Sequence, residues 1–178
     1  EKLWAAVELT LATRRDSFWV SVFPTGKFTG GKTVPGWPSV GALGLMSAFG
    51  SIDSLIGLVD TTGMQSILKT LASEATSRKA TSPYGIPVKA GDLYWGSTAV
   101  TGNVCLGALH WYGISRDTLY RNAALAGLDW ILGRNAVGVS FVTGFGTVTP
   151  QNPHHRPSGG DGIDAPIPGF VVGGPNGN

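Results

Sequence analysis

Near its carboxyl end the chain reads Asn152-Pro153-His154-His155-Arg156, within a stretch, residues 140–178, that is rich in glycine and proline. This composition excludes a regular helix, so the sequence predicts a long irregular loop. Long irregular segments in compact chains are usually either functional or disordered. The two imidazoles and the guanidinium favour function, because they gather hydrogen-bonding groups on a backbone that prolines stiffen. This loop is therefore the candidate functional site.

Three motifs follow one another in the loop: SFVTGFG at residues 140–146, NPHHR at 152–156 and PGFVVGGPN at 168–176. Their order resembles the substrate-binding loop of glycoside hydrolase family 9. That family consists of inverting β-1,4-glucanases, mostly endoglucanases, which are built as an (α/α)6 barrel. The resemblance extends upstream through YWGS at 94–97 and LGRN at 132–135, whereas the first third of the chain matches only loosely.

The resemblance implies roles for four residues of this chain. His154 and Arg156 match the active-site positions of the family's H-x-R motif and are predicted to act in catalysis. Neutral imidazole donates to or accepts from a hydroxyl, and guanidinium presents a fixed fork of donors, so both suit a sugar. His155 and Trp95 are predicted to bind substrate, Trp95 as a platform for a pyranose ring. One position departs from the motif: Val148 stands where the family usually has Asn, Lys or Arg.

The carboxyl groups that inversion requires are not found at the family's positions. The reaction uses a general acid and a general base about 6.5–9.5 Å apart. The family places the base in an Asp-rich motif early in the domain and the acid, a Glu, some tens of residues beyond GGPN; neither motif occurs here. Residues 161–164 (DGID) superficially resemble the family's D-A-G-D, but they follow His154 and are typical of a turn. We predict that they are not the catalytic pair and that residues 1–178 are a partial catalytic domain, with the remainder of that domain as a partner.

Composition excludes several classes of partner. The 178 residues are 42% hydrophobic and 13% charged, with a net charge of +2, which is too small to favour nucleic acid or an acidic membrane. No apolar run approaches the ~20 residues of a membrane span. Cys105 permits no internal disulfide and is predicted to be buried. Nothing at Glu1 resembles a signal peptide, which a mature or trimmed chain would not show, and the family resemblance implies a secreted, extracellular protein.

No cofactor and no metal is predicted. His154 and His155 are adjacent, but no Cys, Asp or Glu stands at ligand spacing from them. The third histidine, His110, falls within a helical pattern.

Hydrophobic periodicity predicts an all-α chain with five helices. They cover residues 1–13, 37–49, a segment from about 62 to beyond 75, residues 98–112, and a segment from 115 or 117 to 133. A capping box is predicted at residues 62–65, and residues 18–32 are predicted as a loop with at most a short hairpin. Because the family's barrel has twelve helices, five helices with long irregular loops indicate part of an (α/α)6 barrel.

The fifth predicted helix is apolar on two sides. One stripe consists of Leu119, Ala123, Ala126 and Trp130, and the other of Leu125, Leu128 and Leu132. Two apolar faces imply neighbours on both sides, as on an inner helix of a double-layered α barrel. Because a ring of five helices stays open, we expect one of these stripes to lack neighbours and be exposed, which the solvent exposure of Leu125, Leu128, Trp130 and Leu132 tests. Trp4 and Trp111, also on helical stripes, are predicted to lie in the core together with Trp130.

Three functions remain open on these residues. The first is a part of a β-1,4-glucanase, acting on β-1,4-glucan as an endo-enzyme or as an exo-acting cellobiohydrolase or glucosidase. The second is a non-catalytic carbohydrate-binding domain, and the third is a structural helical domain whose loop packs against a partner.

Overall fold

The structure of the protein is a computed structural model that describes residues 1–30 and 34–177. Within these residues the α-helices are α1 (Lys2–Thr13), α2 (Ser17–Val22), α3 (Gly41–Gly50), α4 (Thr61–Thr81), α5 (Ser97–Ser115), α6 (Thr118–Ile131) and α7 (Arg156–Gly160). Single 3-10 turns cover Ile52–Leu55 and Ala90–Asp92. The described residues contain no β-strand, only the isolated bridges Gly36–Ser39 and Val142–Val171. The prediction of an all-α chain is confirmed.

The helices pack in two groups. The α1–α3 group has α1 against both α2 and α3, and the α4–α6 group has its three helices in mutual contact, with α3 joining the groups through α4 and α5. The α4–α6 group is packed largely with small residues, and a Cβ added at Gly127 of α6 would overlap the Cys105 sulfur of α5. Cys105 is buried, as predicted, and burial raises the pKa of its thiol to about 12.

Helix α4 begins earlier than the predicted capping box. Its N-cap is Asp60, whose Oδ1 accepts the Gly63 N–H at 3.1 Å while Oδ2 accepts the Phe28 N–H at 3.1 Å. The hydrogen bond from Phe28 is the main reason that the pKa of Asp60 lies below its usual value. The box at residues 62–65 was therefore wrong, because a carboxylate two residues upstream caps the helix and also reaches a second segment. Of the residues that helical spacing places on one face of α4, Met64, Leu68, Leu71 and Ala75 are buried and Ile67 is half-buried.

The segment predicted as a loop at residues 18–32 contains α2, so that prediction was wrong for its first part. The Trp19 ring lies 4.4 Å from that of Phe23 and 6.1 Å from that of Phe28, measured between centroids, and its indole N–H donates to the Gly26 carbonyl at 3.0 Å. Burial of Trp19 in this cluster outweighs the low helix propensity of the aromatic and β-branched residues. Residues 31 and 32 of the predicted loop lie outside the described residues.

Helix α3 begins at Gly41 rather than at Trp37. Gly36 and Ser39 exchange two backbone hydrogen bonds, of 2.9 and 3.0 Å, which close a turn and prevent the helix from starting there. Trp37 is consequently almost fully exposed. Inside α3, Gly44 permits close contact with α1, since a Cβ there would lie 2.8 Å from the Trp4 Cα.

The two apolar stripes of α6 have different environments. Ala123, Ala126 and Trp130 are buried, whereas Leu119, predicted on the same stripe, is exposed in the first turn of the helix. Leu125, Leu128 and Leu132 are 46–47% exposed, as expected, while Trp130 is covered by Phe141 at 5.1 Å between ring centroids.

The predicted core tryptophans also divide. Trp111 is half-buried against Tyr120 and Trp130 is buried, but Trp4 is 38% exposed because its indole N–H turns outward to Glu8, at 2.9 Å. Over the described residues no helix has both the length and the apolar character needed to cross a membrane.

Candidate functional site

The irregular stretch that the sequence singled out, residues 140–177, is here called the 140–177 loop. It is joined to the helices at both ends by backbone hydrogen bonds. The Phe141 N–H donates to the last residue of α6, Ile131, at 2.7 Å, and the Thr98 N–H in the first turn of α5 donates to Gly173 at 3.2 Å. The loop therefore lies where α6 ends and α5 begins.

Thr143 joins the two limbs of the loop, which are the first limb, directly after α6, and the returning limb, residues 167–177. This fully buried residue donates its N–H to the Phe170 carbonyl at 2.9 Å and accepts the Gly169 N–H at 2.8 Å. Its hydroxyl donates to the Ile167 carbonyl at 2.7 Å and accepts the Phe170 N–H at 2.9 Å. One threonine thus supplies four hydrogen bonds that fix the loop without a regular sheet.

Two glycines of the loop are required by close approaches. Gly144 has φ 72°, and a Cβ there would lie 2.8 Å from the Pro168 Cβ. Gly174 has φ 81°, and a Cβ there would overlap the Thr98 hydroxyl. A side chain is disfavoured at both positions, because the positive φ would strain its backbone and because its Cβ would lie too close to a neighbouring residue.

The predicted platform, Trp95, lies directly before α5 and is 80% exposed. Two residues later, the buried Ser97 hydroxyl donates to the Pro175 carbonyl at 2.7 Å and to Gly173 at 3.3 Å. The Leu93 carbonyl accepts the Gly177 N–H at 2.9 Å. These contacts place the Trp95 turn beside the returning limb of the 140–177 loop.

A buried ion pair holds the segment before Trp95. Arg78 of α4 donates through Nη1 to Asp92 Oδ2 at 2.7 Å, and the Lys89 N–H donates to the same oxygen at 3.0 Å. Both charged side chains are nearly buried, so the pair fixes the 3-10 turn that precedes Trp95.

A short helix begins at the last residue of the NPHHR motif, which corrects the prediction that no regular helix forms here. Helix α7 is a single turn that begins at Arg156, and Pro157 in its first turn is tolerated because the N–H that proline lacks would have no partner there. His155 is the N-cap, and its Nδ1 lies 3.3 Å from the Ser158 backbone nitrogen and 2.9 Å from the Ser158 hydroxyl.

The other two predicted residues point away from the loop's own contacts. His154 and Arg156 are exposed, and among residues 1–30 and 34–177 neither side chain has a hydrogen-bond or ion-pair partner. His154 and Arg156 are thus exposed polar groups on one turn, with His155 engaged between them.

The DGID segment forms the predicted turn. Asp161 Oδ1 accepts the Ile163 N–H at 2.8 Å, and Gly162 has φ 77°. Across the described residues no group of three His, Cys, Asp or Glu side chains is arranged to hold a metal ion.

Two cavities border the site. One, of about 370 Å³, lies beside the NPHHR turn and is lined by polar groups that include Asn152, Ser158 and Asp164. The other, of about 630 Å³, is mainly apolar and lies between the segment before Trp95 and the residues that follow α6, with Trp130 and Phe141 on its wall. Sequence reasoning missed Ser97 and Thr143, although each is a hydroxyl residue inside a motif that it had singled out.

Comparison with known proteins gives one consistent result. A family model described as Glycosyl hydrolase family 9 matches residues 1–178. The chain is 33% identical over 183 residues to the xyloglucan-specific endo-β-1,4-glucanase BoGH9A of Bacteroides ovatus, an alignment that covers 99% of this chain and 30% of the relative.

Solved structures agree. A Bacteroides ovatus GH9 structure superposes with a TM-score of 0.83 at 32% identity, over 98% of this chain and 32% of that one. AaCel9A in complex with cellobiose-like isofagomine superposes with a TM-score of 0.77 at 30% identity, over 98% of this chain and 33% of that one. The chain spans about a third of the length of these proteins. The prediction of part of an (α/α)6 barrel is confirmed, and the match includes the first third of the chain.

Proposed function

The chain belongs to glycosyl hydrolase family 9, and on this basis we propose that it is the substrate-binding part of a β-1,4-glucanase that hydrolyses cellulose-type bonds with inversion. One observation carries the proposal: His154 and Arg156 are exposed, with no hydrogen-bond or ion-pair partner among the described residues, on a turn whose supporting loop is fixed by buried hydrogen bonds. A backbone that is already fixed lowers the ordering cost of binding, and the exposed side chains are available to a ligand.

His154 and Arg156 would act on the reacting sugar by orienting its hydroxyl groups. The guanidinium donates to hydroxyl oxygens in a fixed plane, and the imidazole either donates or accepts. Neither group replaces the two carboxyl groups of inversion. The general acid and base are accordingly proposed to lie in the remainder of the catalytic domain, outside these residues.

Trp95 is proposed as a platform for a neighbouring pyranose ring. Its exposed indole offers an apolar face, and the Ser97 and Leu93 hydrogen bonds hold its turn beside the loop. For His155, which the sequence also predicts to bind substrate, only Nε2 is left for such a contact, because Nδ1 is engaged with Ser158.

The substrate class rests on the relatives. BoGH9A is named a xyloglucan-specific endo-β-1,4-glucanase, and AaCel9A is in complex with cellobiose-like isofagomine. Both have β-1,4-linked glucose chemistry in common, which supports a β-1,4-glucan as the substrate of this protein. A secreted location accords with so large a substrate.

The proposed partner of the chain is the rest of the same barrel. Leu125, Leu128 and Leu132 form an exposed apolar row on α6, of the kind that soluble proteins usually cover. Such a row is typical of a helix that packs against further helices.

Arg156→Ala in the full-length protein tests the proposal directly. A lost charge-assisted hydrogen bond costs about 1.5–3 kcal/mol, so we expect a fall of roughly 10- to 150-fold in kcat/KM on carboxymethylcellulose. Arg15→Ala is the matched control, because Arg15 is also exposed but lies at the end of α1. Residues 1–178 alone should show no hydrolysis. Full activity of Arg156→Ala, or turnover by the isolated chain that is lost on mutating Asp161, would contradict the proposal.

A further inference from the structure

Three consecutive residues of the NPHHR turn have different surroundings. His154 and Arg156 are exposed, whereas His155 between them is half-buried. The His155 ring lies 4.5 Å from the Phe170 ring, between centroids, at an interplanar angle of 48°. Its Nδ1 is within reach of both the backbone nitrogen and the hydroxyl of Ser158. Among the described residues, His155 therefore makes hydrogen-bond and ring contacts that its two neighbours lack.

The Nδ1 contact is that of a helix cap. His155 has an extended backbone, φ −134° and ψ 101°, and its side chain accepts the N–H of Ser158 in the first turn of α7. Asn, Asp, Ser and Thr usually fill this role with a side-chain oxygen. To accept, Nδ1 must be unprotonated, so the neutral ring carries its proton on Nε2.

The Phe170 contact links this cap to the rigid part of the loop. The Phe170 N–H donates to the Thr143 hydroxyl at 2.9 Å, and the Phe170 carbonyl accepts the Thr143 N–H at 2.9 Å. Two residues before Thr143, Phe141 is bonded to the end of α6. A series of contacts thus runs from α6 through Thr143 and Phe170 to the His155 ring.

We infer that His155 is a positioning residue, which sets the direction of His154 and Arg156 and does not itself bind the sugar. With its ring against Phe170 and its Nδ1 on Ser158, His155 fixes the point at which α7 begins. The backbone on either side then sets the direction in which the two exposed flanking side chains leave the turn. This inference rests on the proposed function, because the groups that His155 positions are the proposed sugar ligands.

Substitution by asparagine distinguishes a positioning role for His155 from a direct contact of His155 with the sugar. Asn Oδ1, like His Nδ1, is bonded to Cγ, so asparagine can accept from Ser158 in the same way and is a preferred N-cap. Asparagine does not reproduce the imidazole Nε2, which is the atom left for a sugar. His155→Asn should therefore restore a positioning role and fail to restore a direct contact.

The experiment compares His155→Ala and His155→Asn in the full-length protein. The first measurement, made without substrate, is amide hydrogen exchange at Ser158. We expect about a fivefold to tenfold faster exchange in His155→Ala and a wild-type rate in His155→Asn. The second is kcat/KM on a soluble β-glucan, where we expect a fivefold to tenfold fall for His155→Ala and a value within about twofold of wild type for His155→Asn.

Two results would overturn the inference. One is a His155→Asn variant as impaired in catalysis as His155→Ala while Ser158 stays protected, since that pattern identifies a sugar ligand. The other is unchanged exchange or unchanged kcat/KM in His155→Ala. If wild-type protein does not hydrolyse β-glucan, the proposed function fails, and the exchange measurement still decides whether His155 holds the turn.

Discussion

In the α4–α6 group the residues that touch are mostly small and apolar, whereas in the 140–177 loop the contacts that fix the chain are hydrogen bonds of backbone groups and a few hydroxyls. Gly127 against Cys105 represents the first region, and Thr143 between the two limbs represents the second. Packing depends on volume and tolerates small shifts in direction. Hydrogen bonds depend on direction, so they can hold exposed side chains in a chosen orientation without a large core.

The largest effect should come from creating a cavity among the buried apolar side chains of the α4–α6 group. Leu68 of α4 is fully buried, and Leu68→Ala should lower the free energy of unfolding by about 2–5 kcal/mol through lost burial and a cavity. Leu128→Ala on α6 is the matched control, because 46% of Leu128 is exposed in this chain. Urea unfolding of the isolated 178-residue chain measures both. Equal losses for the two variants in the isolated chain would contradict the different burial of Leu68 and Leu128 in the structure.

Adding a methyl group inside the α4–α6 group should lower the free energy of unfolding by about 3 kcal/mol. In Gly127→Ala the new methyl group overlaps the Cys105 sulfur and lies 2.9 Å from Pro87, so α5 and α6 must separate. Gly102→Ala in α5 is the control, since nothing lies within 4 Å of a Cβ there, and it should stabilise by about 0.5–1 kcal/mol. Thermal unfolding distinguishes the two; a Gly127→Ala variant as stable as wild type would show that this contact is loose.

In the loop, Thr143→Val keeps the side-chain shape but removes two hydrogen bonds. We expect a cost of about 0.5–1.5 kcal/mol for each, felt in the loop and not in the helices. Amide exchange should accelerate at Phe170 and remain unchanged in α4. Equal acceleration in both places would contradict the separation of the two regions.

The smallest effect should come from Asp60, which joins α4 to the segment at Phe28. Asp60→Ala removes an N-cap and should cost about 1 kcal/mol at pH 7. The pKa of this carboxyl is lower in the folded chain, so its contribution is present above the unfolded value of about 3.9 and is lost as pH falls through the lower folded value. Asp60→Asn retains an acceptor and does not titrate; a wild-type advantage over it that persisted well below that window would contradict the assignment.

The sequence predicted the helices whose apolar residues recur at helical spacing, such as α4 and α6. It failed where a distant contact decides the local structure. The Asp60 carboxylate that caps α4 also accepts from Phe28, 32 positions away, and Trp19 of α2 packs against Phe28 beyond the end of its helix. Neither contact shows in a local pattern.

For the candidate site, motif resemblance located the residues, but residue types did not give their surroundings. His154 and His155 are chemically identical, and only the fold gives one of them a cap to make. Proline and glycine around them suggested no helix, yet one turn forms because Pro157 lies where its missing N–H is harmless. The roles of His154, Arg156 and Trp95 stay predictions.

The Ser97 hydroxyl bonds carbonyls that lie 76 and 78 positions away in the chain. Contacts so distant in sequence require a large loop closure, whose entropy is lost before the contact forms. The α5–α6 hairpin, joined by two residues, closes with far less loss. We therefore expect the helices to fold first and the hydrogen bonds of Ser97 to Gly173 and Pro175 to form last. The proposed substrate-binding surface would then be the last part of the chain to form and the first to open.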